Sequence, residues 1–137
     1  MLEQQGDTIR DRTSEATNRR IHRDTRAALD QAGDSPSRIR ARLAELDREW
    51  TVDRALMLNF AIVGSLTASL TMRTLYRERK LGAWGALFFT QMAFLAHHAI
   101  WRWCPPMPVF RRLGFRSARE ISDERAVLLL RLADQRE

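Results

Sequence analysis

One cysteine and one pair of adjacent histidines are the residues of this chain whose side chains could react or bind a metal. Cys104 is the only cysteine, so a disulfide within the chain and a zinc site made of cysteines alone are both excluded. Cys104 is expected to have a packing role. A reactive thiol is the alternative, because nearby arginines favour the thiolate, although a helix C-terminus opposes it. His97 and His98 are candidate metal or haem ligands, although neighbours in a helix point about 100° apart and cannot easily hold one ion together.

No other catalytic motif accompanies these residues. The sequence contains no phosphate-binding glycine loop, no nucleophile elbow and no zincin helix. It therefore predicts a protein that is not an enzyme and that binds no cofactor.

The chain of 137 residues contains two long uncharged runs, and these determine where the candidate residues lie. Ala55–Met72 has 18 residues and Leu81–Trp101 has 21. As helices they measure about 27 and 31 Å, against a hydrocarbon slab of about 30 Å. With Arg73 snorkelling, the spans are residues 55–73 and 81–101. The sequence thus predicts an all-α membrane protein with a two-helix transmembrane hairpin and amphipathic flanking helices; two buried helices of a soluble bundle are the alternative.

Aromatic and basic residues orient the predicted hairpin. Five aromatic residues flank the spans and are expected to anchor them at the headgroup level: Trp50, Tyr76, Trp84, Trp101 and Trp103. The connection at residues 73–80 is short, so the helices must be antiparallel with both termini on one side. More arginines flank the hairpin than lie in this connection, which favours cytoplasmic termini.

Small residues predict where the two spans meet. They recur every three or four residues on one face of each span, which allows helix backbones to approach closely. The predicted contact face consists of Ala61, Ser65, Ser69, Gly82, Ala86, Thr90, Ala93 and His97.

The flanking segments divide the rest of the chain. Residues 1–34 are polar and predict a disordered or loosely helical tail, with a short helix at residues 14–30. Residues 35–50 predict an amphipathic helix at the membrane interface; a coiled-coil contact with a partner helix is the alternative. The hairpin occupies residues 51–103. Residues 104–137 predict an interfacial segment followed by an amphipathic helix, which Ser117 and Glu120 begin as a capping box.

Charge is distributed unevenly along the chain. Residues 1–54 carry eleven Arg against eleven acidic residues, so the net charge of +6 lies entirely in the later part. Balanced charge in the N-terminal part argues against nucleic-acid binding. Four later arginines are expected to contact anionic lipid headgroups or a partner: Arg102, Arg111, Arg112 and Arg116.

The stretch Trp103-Cys104-Pro105-Pro106, followed by Arg-Arg-Leu-Gly-Phe at residues 111–115, resembles the YgaP-like transmembrane domain family. The resemblance covers roughly residues 45–125 and implies a small two-helix protein of the bacterial inner membrane. Some members carry a rhodanese sulfurtransferase domain before the hairpin. The residues before this hairpin are too few and too polar to form one, so that activity is not expected here.

These observations predict a structural or accessory subunit. Two helices bury little surface between them, so we expect the protein to self-associate or to bind a larger membrane complex in the lipid bilayer. A sulfur-handling or redox accessory protein acting through Cys104 is the alternative.

Overall fold

Capping residues set the helix boundaries in the computed structural model, which describes residues 7–135. The Thr51 Oγ1 accepts a hydrogen bond from the Arg54 N–H at 3.2 Å, and Ser117 with Glu120 forms the predicted capping box. Within the described residues the helices are α1 (Thr8–Asp11), α2 (Glu15–Ala32), α3 (Pro36–Leu46), α4 (Val52–Glu78), α5 (Gly82–Trp101), α6 (Met107–Arg112) and α7 (Ala118–Asp134). No strand occurs in this part of the chain.

Helices α4 and α5 form an antiparallel hairpin. Arg79 caps the C-terminus of α4 with a left-handed φ of 53°, and Arg102 caps the C-terminus of α5 with a φ of 54°. Among the described residues, α4 alone is long and apolar enough to cross a membrane. Helix α5 contains Gln91 and two histidines, which lower its mean hydropathy.

Helices α2, α3 and α7 pack together as a polar bundle with one apolar core. Its buried residues are Ala32, Ile39, Leu46, Ile121 and Leu128, and three further leucines pack against them. Ile39 and Leu46 belong to the apolar stripe that the sequence assigned to a membrane interface at residues 35–50. That assignment was wrong, because this stripe faces α7 and is buried in protein.

The short helix predicted at residues 14–30 is present as α2. The prediction that this part of the chain is a disordered or loosely helical tail was wrong for the residues described, because α2 packs into the bundle. Residues 1–6 lie outside the described part. Helix α2 has few apolar residues, and hydrogen bonds from its polar side chains hold it against its neighbours. The Asn18 amide donates to the Arg10 carbonyl at 2.9 Å, and the Arg20 guanidinium donates to the Arg112 carbonyl at 2.5 Å. Ile21 supplies the buried apolar contact.

A second apolar core lies at the base of the hairpin, where α4, α5 and α6 meet. Its buried residues are Ile9, Val52, Leu56, Phe60, Cys104 and Met107. The Val52 N–H donates to the Arg116 carbonyl at 2.8 Å, which ties the start of α4 to the segment before α7. The segment after position 104 therefore packs against protein through Met107 and Arg111, whereas Val109 and Leu113 are exposed.

Candidate membrane interface

The hairpin exposes many large apolar side chains, which we together call the hairpin outer face. It consists of the exposed residues Met57, Leu58, Ile62, Leu66, Met72 and Leu75 of α4 with Leu87, Phe89 and Ile100 of α5. Only 33% of the most apolar part of α4 is buried inside the protein. The core helix of a soluble protein would be mostly buried. An exposed apolar surface of this kind requires lipid or another protein to cover it.

Helices α4 and α5 contact each other at glycine and threonine residues. A Cβ on Gly64 would lie 3.7 Å from Met92 Cε, and a Cβ on Gly85 would lie 3.4 Å from Thr71 Cγ2. Phe60, Gly64, Thr67 and Thr71 are buried along one side of α4. The helices therefore approach closely at small residues, as the sequence led us to expect, but along a different stripe.

The predicted contact face was wrong for most of its members, although Gly82 does approach α4, since a Cβ there would lie 3.2 Å from Thr74 Cγ2. Most of its members are exposed: Ala61, Ser65, Ser69, Gly82, Ala86, Thr90 and Ala93, while His97 is half-buried. Their hydroxyls need no partner helix, because Ser69 Oγ donates to the Ser65 carbonyl at 2.8 Å. Thr90 Oγ1 does the same to the Ala86 carbonyl at 2.9 Å. Small hydroxyl residues can thus face outward with their hydrogen bonds satisfied.

Sequence reasoning missed the polar pair at the centre of the hairpin. Thr67 and Gln91 are both buried, and Thr67 Oγ1 lies 3.3 Å from Gln91 Oε1. Side-chain hydrogen bonds between helices stabilise packing in membranes. Gln91 could have been found, because it is the one strongly polar residue in the middle of the second uncharged run.

The two adjacent histidines have separate partners at the base of the hairpin. His97 Nδ1 lies 2.8 Å from the Trp103 carbonyl, and its ring is 4.5 Å from that of Trp101. His98 is buried, with Nε2 at 3.3 Å from Asp53 Oδ1. Among the described residues no three His, Cys, Asp or Glu side chains are grouped so that they could hold a metal ion.

Cys104 lies in the core at the base of the hairpin and is fully buried. Burial raises the pKa of its thiol to about 11; the Met107 N–H opposes this shift, and the charge of Asp53 adds to it. The expectation that neighbouring arginines favour the thiolate was thus wrong, because the thiol is buried away from water and little thiolate forms at neutral pH. The structure gives the redox alternative no support.

Arg111 is directed into the protein and not toward lipid. Its side chain is 0% exposed, and it donates two hydrogen bonds to Glu120, at 2.6 Å and 2.8 Å. The Phe115 carbonyl and Asn18 Oδ1 accept two more, at 3.2 Å and 3.1 Å. A buried arginine needs this degree of hydrogen bonding to offset its lost hydration. The prediction that Arg111 contacts headgroups was therefore wrong.

Arg116 is the centre of a second buried network. It donates to both Glu49 oxygens at 2.6 Å and also pairs with Glu124. Arg42 donates to Glu124 from the other side at 2.8 Å. This network links α3, α7 and the segments before α4 and α7. Arg116 was also wrongly assigned to headgroups, whereas Arg102 and Arg112 are exposed and remain predicted contacts.

The aromatic anchors remain a prediction. Trp50, Tyr76, Trp84 and Trp101 are exposed. Trp103 is half-buried, with the Arg12 guanidinium 5.3 Å from its ring centroid. Trp50 and Trp101 lie at the base of the hairpin, and Tyr76 and Trp84 lie at its tip. Their positions at the two ends of the hairpin match two headgroup levels.

Acidification is expected to destabilise the polar bundle. Burial raises the pKa of the Glu124 carboxyl, but hydrogen bonds from Arg42 and Arg116 outweigh it and hold that pKa below its ordinary value of 4.5. Burial also raises the pKa of the Glu120 carboxyl, but hydrogen bonds from Arg111 and the Ser117 N–H outweigh it and lower that pKa. Because both folded-state values are lowered, these carboxylates stabilise the fold above their ordinary pKa, and this contribution is lost as pH falls through the folded values.

Thermal unfolding of the detergent-solubilised protein, followed by circular dichroism across a pH series, measures this effect. We expect a constant Tm above about pH 6 and a progressive decrease below about pH 4.5. A Tm that stays constant down to about pH 3 would contradict the buried ion pairs.

No protein-family model, curated protein or solved structure matches this chain.

Proposed function

We propose that this protein is a small integral membrane protein whose α4–α5 hairpin inserts into the lipid bilayer of a bacterial inner membrane. The polar bundle lies on the cytoplasmic side with both termini. In this arrangement the protein acts as a structural or accessory subunit, which self-associates or binds other membrane proteins. The proposal agrees with the resemblance of residues 103–115 to the YgaP-like family.

The hairpin outer face is the observation that carries this proposal. Ile62 is 60% exposed and Leu66 is 57% exposed, although both lie in the middle of a helix of 27 residues. The polar bundle, by contrast, is closed by its own apolar core and by buried ion pairs. Each part therefore suits a different solvent, lipid for the hairpin and water for the bundle.

A binding role, and not catalysis, fits the chemistry of the described residues. The thiol of Cys104 is buried, and the buried arginines Arg111 and Arg116 are paired with Glu120 and Glu124. Two helices in lipid bury little mutual surface, so the hairpin outer face is available to a second copy or to another membrane protein.

Fractionation of cells that express the full chain tests the proposal. We expect the protein to stay with the membranes after carbonate extraction and to elute from size exclusion in mild detergent as an oligomer or with co-purified membrane proteins. A C-terminal reporter that fluoresces only in the cytoplasm is expected to be bright. Release of the protein by carbonate would overturn membrane insertion, and a monodisperse monomer from native membranes would overturn the accessory role.

A further inference from the structure

We infer that a cavity at the base of the hairpin binds the phosphoethanolamine headgroup of a zwitterionic membrane lipid. The cavity has a volume of about 490 Å³ and lies where the start of α4, the end of α5 and the start of α7 meet. This inference rests on the proposed insertion of the hairpin, which places the base of the hairpin at the headgroup level.

The charges that line the cavity are balanced. Asp7 and Asp53 contribute two carboxylates, and Arg102 and Arg119 contribute two guanidinium groups. A ligand that carries one negative and one positive group leaves this balance unchanged. An anionic lipid would add a negative charge next to two carboxylates, which is unfavourable where water is partly excluded. Charge complementarity therefore favours a zwitterion.

The positive side of the cavity matches a phosphate group. Arg102 is exposed, and among residues 7–135 no carboxylate oxygen lies within 4.0 Å of its guanidinium nitrogens. A guanidinium can bind phosphate through two parallel hydrogen bonds. Ser117 and Ala118 line the same cavity at the N-terminus of α7. The Ser117 hydroxyl already donates to the Asp7 carboxylate and the Ser117 N–H to Glu120, so the phosphate is assigned to Arg102.

The negative side of the cavity matches an ammonium group. Asp53 lies in the first turn of α4, and its side chain is 35% exposed. One of its carboxylate oxygens is held 3.3 Å from His98 Nε2, so the side chain is fixed in place by a buried neighbour. A carboxylate held in this way can accept a charge-assisted hydrogen bond from a primary ammonium at the open side of the cavity.

The apolar rim of the cavity continues into the hairpin outer face. Ile100 is 68% exposed and Trp101 is 54% exposed, and both line the cavity. A tryptophan ring favours the boundary between headgroups and acyl chains. A lipid whose headgroup occupies the cavity can therefore lay its acyl chains along the apolar surface of α5.

Native mass spectrometry of the full chain, released from detergent micelles with an equimolar mixture of phosphatidylethanolamine and phosphatidylglycerol, tests the inference. We expect the protein to retain phosphatidylethanolamine about ten-fold more than phosphatidylglycerol, equivalent to about 1.4 kcal/mol. Soluble O-phosphoethanolamine should displace the bound lipid at lower concentration than inorganic phosphate, which separates the lipid headgroup from a free phosphate as the recognised group.

Two variants separate the two halves of the cavity. Arg102→Gln is expected to reduce retention of both lipids about ten-fold, because both carry a phosphate. Asp53→Asn is expected to reduce retention of phosphatidylethanolamine alone, because only that lipid carries the ammonium. Arg79→Gln is the matched control, since Arg79 ends α4 in the same left-handed conformation at the other end of the hairpin and is expected to change nothing.

Equal retention of the two lipids by the unmodified protein would overturn the inference, and so would equal behaviour of Arg102→Gln and Arg79→Gln. Flotation of each variant with vesicles of phosphatidylethanolamine and phosphatidylglycerol measures insertion separately. If the protein floats but does not select the headgroup, the inference fails and the proposed function stands. If the unmodified protein does not float, the proposed function fails.

Discussion

The Glu120→Ala variant is expected to be strongly destabilised, by roughly 3–5 kcal/mol. Glu120 is the carboxylate that pairs with the fully buried Arg111 guanidinium within residues 7–135. Its removal leaves Arg111 in the interior without a counter-charge, which costs far more than the loss of an exposed ion pair. The same side chain accepts the Ser117 N–H at 2.8 Å, so the capping box of α7 is lost as well.

Chemical denaturation of the detergent-solubilised protein, followed by circular dichroism, measures this loss. Glu15→Ala is the matched control, because Glu15 also lies in the first turn of a helix and also pairs with an arginine, Arg19, at 2.9 Å. That pair is exposed to water and is expected to contribute little. A similar small effect for both variants would show that Arg111 is not buried as the structure has it.

A double variant distinguishes an uncompensated charge from loss of packing. Arg111→Met combined with Glu120→Leu removes both charges and keeps an apolar side chain at each position. Replacing a buried ion pair by apolar residues is often nearly neutral, whereas removing one partner is not. We therefore expect the double variant to be more stable than Glu120→Ala alone. If the double variant is the less stable of the two, the pair contributes through its shape and its other hydrogen bonds.

Replacing Ile62 and Leu66 by arginine is expected to remove the protein from the membrane fraction. Both side chains belong to the hairpin outer face and lie one turn apart in the middle of α4. Each replacement exchanges a residue that favours insertion by about 0.5 kcal/mol for one that opposes it by about 3 kcal/mol. The double variant therefore loses roughly 7 kcal/mol of insertion free energy, which exceeds what tilt or snorkelling can recover.

Carbonate extraction and vesicle flotation measure the outcome. Tyr76→Arg is the control, because Tyr76 is 92% exposed near the tip of the hairpin, where Arg73, Arg77 and Arg79 already lie. An added arginine there is expected to be tolerated. If the double variant remains in the membrane fraction, or the unmodified protein is soluble and unaffected by the exchange, then lipid does not cover this face.

Local sequence signals mark several helix starts, and the start of α7 was predicted from its capping box. Thr51 and Ser117 cap α4 and α7 as their side-chain chemistry requires, and Pro36 occupies the first position of α3. Such signals depend on a few neighbouring residues and are complete within the sequence. The antiparallel arrangement of α4 and α5 was predictable for a similar reason, because a short connection allows no other.

The partners of the arginines were not predictable from the sequence. Arg111 and Arg102 are both arginines close to the end of the second uncharged run, yet one is fully buried and the other exposed. Arg111, the buried one, pairs with Glu120, which follows nine residues later. It also donates to Asn18, which is so far away in the chain that no local pattern indicates the contact. Long-range polar contacts of this kind become visible only when the helices are placed in space.

Sequence alone determined that this chain is helical, that its two uncharged runs lie in adjacent antiparallel helices, and where α7 begins, because periodicity, short connections and capping are local properties. Tertiary structure alone decided which stripe of each helix is covered. Ser65 and Gly64 are neighbours of similar size, but Gly64 faces Met92 and Ser65 faces outward. Small residues permit close approach without specifying it, and the fit of larger side chains around them, together with the buried ion pairs, selects the face.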